Sequence, residues 1–203
     1  FHLIKIIDIE INSIMLKKNY SIPLVIILNF FYFIFEYYFA NEIKSISLFA
    51  DSLDFLEDSL TNLLAIIGLI LSFKYRKFIG YIILLAFITP STYAVFSVLV
   101  KIYEKTIPNF QIMLYLAIGA LFINLICTFV LMDYKNSKNF LLHATFLSAR
   151  NDLIGNLAII IAAYTTHRTN NFLPDLIVGI IILIINLRST KMIFQMIKKD
   201  NDT

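Results

Sequence analysis

The chain has 203 residues, of which 59% are hydrophobic and only 15% are charged. A soluble domain usually carries about 25% charged residues, so this composition indicates an integral membrane protein. The net charge is only +3 and the five glycines form no phosphate-binding fingerprint, which argues against a nucleic-acid or nucleotide-binding protein. The single cysteine, Cys127, excludes an intramolecular disulfide framework and a cysteine-rich zinc site.

Apolar segments of membrane-spanning length recur along the whole chain. Residues 1–20 read as an amphipathic helix on the membrane surface. We predict an all-α integral membrane protein with six spans, at about 21–40, 45–72, 78–100, 109–132, 140–166 and 174–195. These spans form one transmembrane domain over residues 21–197, followed by a basic and polar tail at 198–203. No C-terminal cytoplasmic domain is expected.

Six spans place both termini on the same side of the membrane, and basic residues indicate which side that is. One set of loops and ends contains Lys17, Lys18, Lys74, Arg76, Lys77, Lys135, Lys138, Lys191, Lys198 and Lys199. The opposite loops contain only Lys44, Lys101, Lys105 and Arg168. This asymmetry predicts that both termini are cytoplasmic.

The second span carries three aspartates, Asp51, Asp54 and Asp58, in an otherwise apolar run. Their spacing of i, i+3 and i+7 places all three on one face of a helix. Intramembrane carboxylates are costly and normally face a protein interior or a water-filled path. Asp54 and Asp58, one turn apart, therefore form half of a candidate site for a divalent cation. Glu36, the lone acid of the first span, is expected to be paired or interfacial.

The fifth span supplies a second polar pair, because Ser148 and Asp152 are also spaced i, i+4. If the second and fifth spans are adjacent, the metal-binding set is Asp54, Asp58, Ser148 and Asp152. The residues that would support this set or line the pathway are Asp51, Asn62, Asn151 and Asn156. Asn62 and Asn156 have an alternative role, since amides commonly form hydrogen bonds between membrane helices. Because metal ligands must be deprotonated, the same site suits exchange of metal against protons.

The run SISLFADSLDFLED, residues 45–58, resembles the second-helix signature of cation diffusion facilitators, with Asp51, Asp54 and Asp58 at its acidic positions. The fifth span resembles the second half-site of that family. Asp152 matches its final position, while Ser148 stands where His or Asp is expected. Pro174-Asp175 resembles the family's entry to helix six.

The resemblance implies a secondary active transporter rather than an enzyme. It would export a first-row divalent metal from the cytoplasm by proton antiport, as a homodimer. The partners it implies are Zn²⁺, Mn²⁺ or Fe²⁺ as cargo, protons, the lipid bilayer and a second copy of the chain. No resident cofactor and no nucleic acid are expected. Ser148 gives an all-oxygen donor set, which favours manganese or iron(II) over cadmium as the cargo and leaves zinc and manganese nearly level. The expected location is a multi-pass position in a bacterial inner or plasma membrane.

Two other functions remain open at this stage. A non-transporting homologue that serves as a partner subunit is suggested by Ser148 and by the C-terminal cytoplasmic domain that the family usually carries and that is not expected here. An intramembrane metal-dependent phosphotransferase is the weaker alternative. Phe55, Leu56 and Glu57 follow the first aspartate pair, where such enzymes carry Gly, Ala and Arg.

Overall fold

The computed structural model describes the backbone of residues 2–70, 73–137 and 140–199. Side-chain surroundings are described for residues 20–64, 66, 78, 81–82, 85–86, 88–137, 143 and 145–186. The helices are α1 (His2–Glu42), α2 (Ile46–Ile70), α3 (Phe73–Glu104), α4 (Phe110–Val130), α5 (Phe140–Thr169) and α6 (Leu173–Lys199). A 3₁₀ turn at Met132–Tyr134 lies between α4 and α5.

The predicted all-α architecture with six helices is confirmed, and no strand occurs in the described ranges. Each predicted span lies within one of these helices or overlaps it. The helix α1 is continuous from His2 to Glu42, so the predicted surface segment and the first span are parts of one helix. The division of the chain into segments at residues 20 and 197, and the cytoplasmic placement of both termini, stay predictions.

Three helical segments in the described part of the chain are long and apolar enough to cross a membrane: Tyr20–Glu42, Phe110–Val130 and Thr145–Thr169. A shorter apolar stretch, Leu173–Asn186, lies in α6. Many large apolar side chains on these helices point away from the protein, among them Phe31 and Ile154. Outward-facing apolar side chains are what a lipid environment requires.

The helix α2 lies at the centre of the helical packing. It contacts all five other helices, and the pairs α4–α5, α1–α4, α3–α6 and α5–α6 close the bundle around it. The first part of α2 is the most enclosed, since residues 46–53 are all buried. Any polar side chain on this segment therefore faces another helix rather than lipid.

Two apolar clusters pack the bundle. The larger one gathers Leu48 and Leu53 of α2, Met113 of α4 and Ala162 of α5. The smaller one gathers the following residues of α1, α4, α5 and the turn between the last two: Ile22, Val25, Cys127, Leu131, Tyr134, Phe146 and Ala149.

Buried polar residues occur on four helices between the positions of these clusters. They are Asn29 on α1, Asp58 and Asn62 on α2, Asn124 on α4, and Asn156 on α5. A polar layer thus separates two apolar regions. Membrane helices bury polar groups in this way where they bind a substrate or each other.

The start of α2 is held by Asp175 at the start of α6. Its carboxylate accepts hydrogen bonds from the backbone N–H groups of Ile46 (3.0 Å) and Ser47 (3.1 Å). It also accepts bonds from the hydroxyls of Ser45 (2.6 Å) and Ser47 (2.7 Å). The first N–H groups of a helix have no partner within the helix, and an anion there also complements the helix dipole. Asp175 therefore caps α2 from a different helix.

Lys101 of α3 completes this buried cluster. Its ammonium lies 3.3 Å from the Asp175 carboxylate, and both side chains are almost completely buried. The same ammonium donates to the carbonyl of Lys44 in the turn between α1 and α2. A buried ion pair with further hydrogen bonds to both partners is costly to break. The cluster therefore joins α2, α3 and α6 at one end of the bundle.

Close contact between α2 and α6 depends on Gly179. A Cβ atom at this position would lie 2.7 Å from the backbone carbon of Ile46 and 2.7 Å from the backbone nitrogen of Ser47. Backbone atoms at a helix start cannot give way as a flexible side chain can. Small residues of this kind allow membrane helices to approach closely.

We expect Gly179→Ala to destabilise the protein by about 1–3 kcal/mol, because the added methyl group pushes α6 away from α2. The matched control is Gly155→Ala on α5, where a Cβ meets nothing within 4 Å. That control should be neutral or slightly stabilising, since Ala favours a helix by about 1 kcal/mol over Gly. Size-exclusion chromatography after heating of the detergent-solubilised proteins would measure the melting temperature of each variant. Equal melting temperatures for both variants would contradict the tight α2–α6 contact.

We also expect Asp175→Asn to lower stability, by about 3 kcal/mol or more, because it leaves the Lys101 ammonium buried without a counter-ion. The control is Asp133→Asn, the same change at an exposed position. The double variant Asp175→Asn/Lys101→Met removes both charges, and it should recover part of the lost melting temperature. No recovery would mean that the caps on α2, rather than the ion pair, account for the loss.

Candidate metal site

The packing of α2 against α5 brings together three of the four predicted metal-binding residues. Asp58 is buried, with 5% of its surface exposed. Its carboxylate accepts a hydrogen bond from the Ser148 hydroxyl and lies within hydrogen-bonding reach of the Asp152 carboxyl. Both partners sit one turn apart on α5, as their spacing predicts. Ser148 thus contacts Asp58 although it is not the residue type expected there.

Asp54 lies near the same group without joining it as closely. It is partly exposed, like Asp152, and the electrostatic field of Asp152 acts on it together with those of Asp51, Glu57 and Asp58. Among the described residues, no three His, Cys, Asp or Glu side chains are placed so that they could hold one metal ion together. The side chains that meet are therefore Asp58, Ser148 and Asp152, with Asp54 beside them.

The charges around this group are of one sign. In the described part of the chain, ion pairs form between Lys44 and Glu104 and between Lys101 and Asp175. No ion pair with a described residue neutralises Asp54, Asp58 or Asp152. Adjacent unpaired carboxylates repel one another, and a cation between them relieves that repulsion. The electrostatics of the site therefore favour a cation over any anionic substrate.

The residues predicted to support the site differ in their placement. The Asn62 amide donates to the carbonyl of Asp58 at 2.7 Å, which ties it to the helix turn that carries this aspartate. Asn156 is fully buried, and neither atom of its amide has a partner among the described residues. Asn151 is exposed and accepts a hydrogen bond from Arg150 at 3.3 Å. Asp51 is buried and meets Glu36 of α1.

Sequence reasoning missed the contribution of α1 and α4. The thiol of Cys127 donates a hydrogen bond to the side-chain oxygen of Asn29 at 3.4 Å. Cys127 also lies within electrostatic range of Asp58 and Asp152. Glu36 of α1 meets Asp51 across the α1–α2 interface. A lone acid and a lone amide in an apolar span were the signals for Glu36 and Asn29. Their partners became visible only in the packed structure.

The chain matches the family model of the cation efflux transmembrane domain over residues 22–199. The search of curated proteins finds no match. The matched region covers the six predicted spans except for residue 21 at the start of the first, and the resemblance to the cation diffusion facilitators is confirmed. The match indicates a transporter and not an enzyme. The chain therefore belongs to the cation efflux family and is a membrane-embedded transporter of metal cations.

Proposed function

We propose that the chain exports a first-row divalent metal ion from the cytoplasm, and that Asp54, Asp58, Ser148 and Asp152 bind this cargo. The observation that carries the proposal is the contact of Asp58 with Ser148 and Asp152 between α2 and α5. Asp58 belongs to the polar layer between the two apolar clusters, and because a carboxylate inside a membrane span is costly, such residues usually have a function. Their oxygens are donors suited to divalent cations.

The transport step requires the distance between α2 and α5 to change. Asp54 and Asp58 belong to α2, while Ser148 and Asp152 belong to α5, so a cation would bind when the helices bring all four side chains to one point. Alternating access then requires the site to open towards one side of the membrane at a time. Asp54 and Asp152 are partly exposed, which supports a site that is reached through an opening beside these two residues.

Proton antiport follows from the same chemistry. A metal ion binds carboxylates in their deprotonated form, and its binding releases protons. When the metal leaves, neighbouring carboxylates resist being charged together, and protons take its place. The proposal therefore includes an obligatory exchange, in which protons enter the cell as the metal ion leaves it.

The proposed cargo is Zn²⁺, Mn²⁺ or Fe²⁺. Zinc prefers nitrogen and sulfur ligands, although it also accepts carboxylates. Carboxylate and hydroxyl oxygens suit harder cations such as Mn²⁺. We further propose that the transporter works as a homodimer, as the family resemblance implies.

The first test is metal uptake into proteoliposomes with an acidic lumen, for Zn²⁺, Mn²⁺, Fe²⁺, Co²⁺ and Cd²⁺ in turn. We expect uptake that depends on the proton gradient and that Asp58→Asn abolishes, because the amide removes a charged ligand while keeping the side-chain volume. The control Asp133→Asn makes the same change at an exposed position and should leave uptake unchanged.

Normal uptake by a folded Asp58→Asn protein would contradict the assignment of the cargo site. Absence of uptake for every metal, from wild-type protein shown to be folded, would favour a non-transporting partner subunit. The observation in favour of that second function is that no three described ligand-type side chains are placed to hold one metal ion.

A second test concerns Ser148. We expect Ser148→Asp to tighten binding of Mn²⁺ by about tenfold, equivalent to about 1.4 kcal/mol, because it adds a carboxylate to the group. Ser148→Asn has nearly the same volume as Ser148→Asp but no charge, so it should not tighten binding. Isothermal titration calorimetry on the detergent-solubilised proteins measures the affinity. Equal affinities for both variants would show that residue 148 does not bind the cargo.

A further inference from the structure

A second pair of carboxylates lies in the bundle, between α1 and α2. Glu36 is 0% exposed and Asp51 is 1% exposed. The two carboxyl groups come within hydrogen-bonding reach of each other. Both groups are acceptors when ionised, and no described donor reaches any of their four oxygens. Buried polar atoms are almost always paired, so four unpaired oxygens at one place need an explanation.

The neighbouring hydroxyl does not provide that partner. Tyr32 lies one turn before Glu36 and close to both acids. Its hydroxyl donates instead to the carbonyl of Leu116 on α4, at 2.7 Å. The hydroxyl fits there because residue 119 is a glycine, where a Cβ atom would lie 2.5 Å from the Tyr32 oxygen. The phenol proton is thus directed away from the acids, while the phenol oxygen stays near them.

No basic side chain neutralises the pair either. Neither Glu36 nor Asp51 forms an ion pair with a described residue; the described ion pairs join Lys44 to Glu104 and Lys101 to Asp175. An isolated buried carboxylate costs several kcal/mol in a low-dielectric interior. Two of them side by side are acceptable only when a cation lies between them or when they stay protonated. The pair therefore has the charge, the free oxygens and the enclosure that a cation site requires.

Its position connects it with the cargo site. Asp51 and Asp58 lie on the same face of α2, seven residues apart, which corresponds to about 10 Å along the helix axis. Asp54 lies between them and is close enough for its charge to act on Glu36. The pair sits on the side of Asp58 that faces the start of α2. With both termini in the cytoplasm, as the sequence predicts, that side is the outer one.

We propose that Glu36 and Asp51 form a second divalent-cation site, which receives the ion from Asp58 and Asp152 on its way out of the cell. The site takes the same class of cation as the cargo site, with oxygen donors from α1 and α2. The Tyr32 oxygen is a further neutral donor beside it. This inference rests on the proposed export function, because it describes a later stage of the same transport path.

The test counts bound ions in the full-length chain, purified in detergent, by equilibrium dialysis against saturating Mn²⁺ and elemental analysis. Wild-type protein should bind one ion more than Glu36→Gln or Asp51→Asn, each of which neutralises one acid while nearly keeping its shape. Both changes relieve repulsion between buried groups, so neither should prevent folding. The control Glu42→Gln changes an exposed residue of the same helix and should keep the wild-type number of ions.

The outcomes separate this inference from the proposed function. If Glu36→Gln and Asp51→Asn bind as many ions as the wild type, the second site is wrong, and the pair is a protonated contact between helices. In that case Asp58→Asn still lowers the number of bound ions and still abolishes uptake. If Asp58→Asn retains both binding and uptake, the proposed cargo site itself has failed. The inference is supported if Glu36→Gln and Asp58→Asn each bind one ion fewer than the wild type, because each variant then lacks a different one of the two sites.

Discussion

The buried carboxylate of Asp175 is the contact on which the placement of the acidic helix depends. It caps the start of α2 through two backbone N–H groups and two serine hydroxyls, and it pairs with Lys101 of α3. Breaking a buried, fully bonded charge pair is costly, so α2, α3 and α6 are held together at this end. Gly179 allows α6 to come close enough for the cap to form. Every acidic side chain farther along α2 takes its position from this anchored start.

The second constraint is the alternation of apolar and polar layers. The larger apolar cluster packs around the first half of α2, and the smaller one packs around the middle of α1 and the end of α4. Carboxylates and amides occupy the positions between them on α1, α2, α4 and α5. In a bilayer this layer has no water of its own, so its charges need either a cation or protons. The fold thus concentrates the electrostatic cost of the protein where its cargo is proposed to bind.

Helix α2 contributes a carboxylate ligand to both proposed cation sites. Asp58 meets Ser148 and Asp152 of α5, whereas Asp51 meets Glu36 of α1. In this proposal, a cation that moves along α2 would pass from one pair of carboxylates to the other. The proposed second site would give helix α1 a direct part in transport, in addition to its contact with lipid. The relative movement of α1, α2 and α5 would then decide which pair holds the ion.

The sequence by itself determined the membrane character, the six helices, the family resemblance and the shared face of Asp51, Asp54 and Asp58. These properties depend on composition and on spacing along one helix, and both can be read from neighbouring residues. It also indicated that α2 and α5 carry matching pairs, although not that Asp58 approaches Ser148 and Asp152 more closely than Asp54 does. Only the tertiary structure decided that Glu36 meets Asp51, that Asp175 caps α2, and that Asn29 contacts Cys127. Each of these contacts joins residues on different helices. Helix rotation and crossing determine such contacts, and helical periodicity within a single segment does not specify either of them.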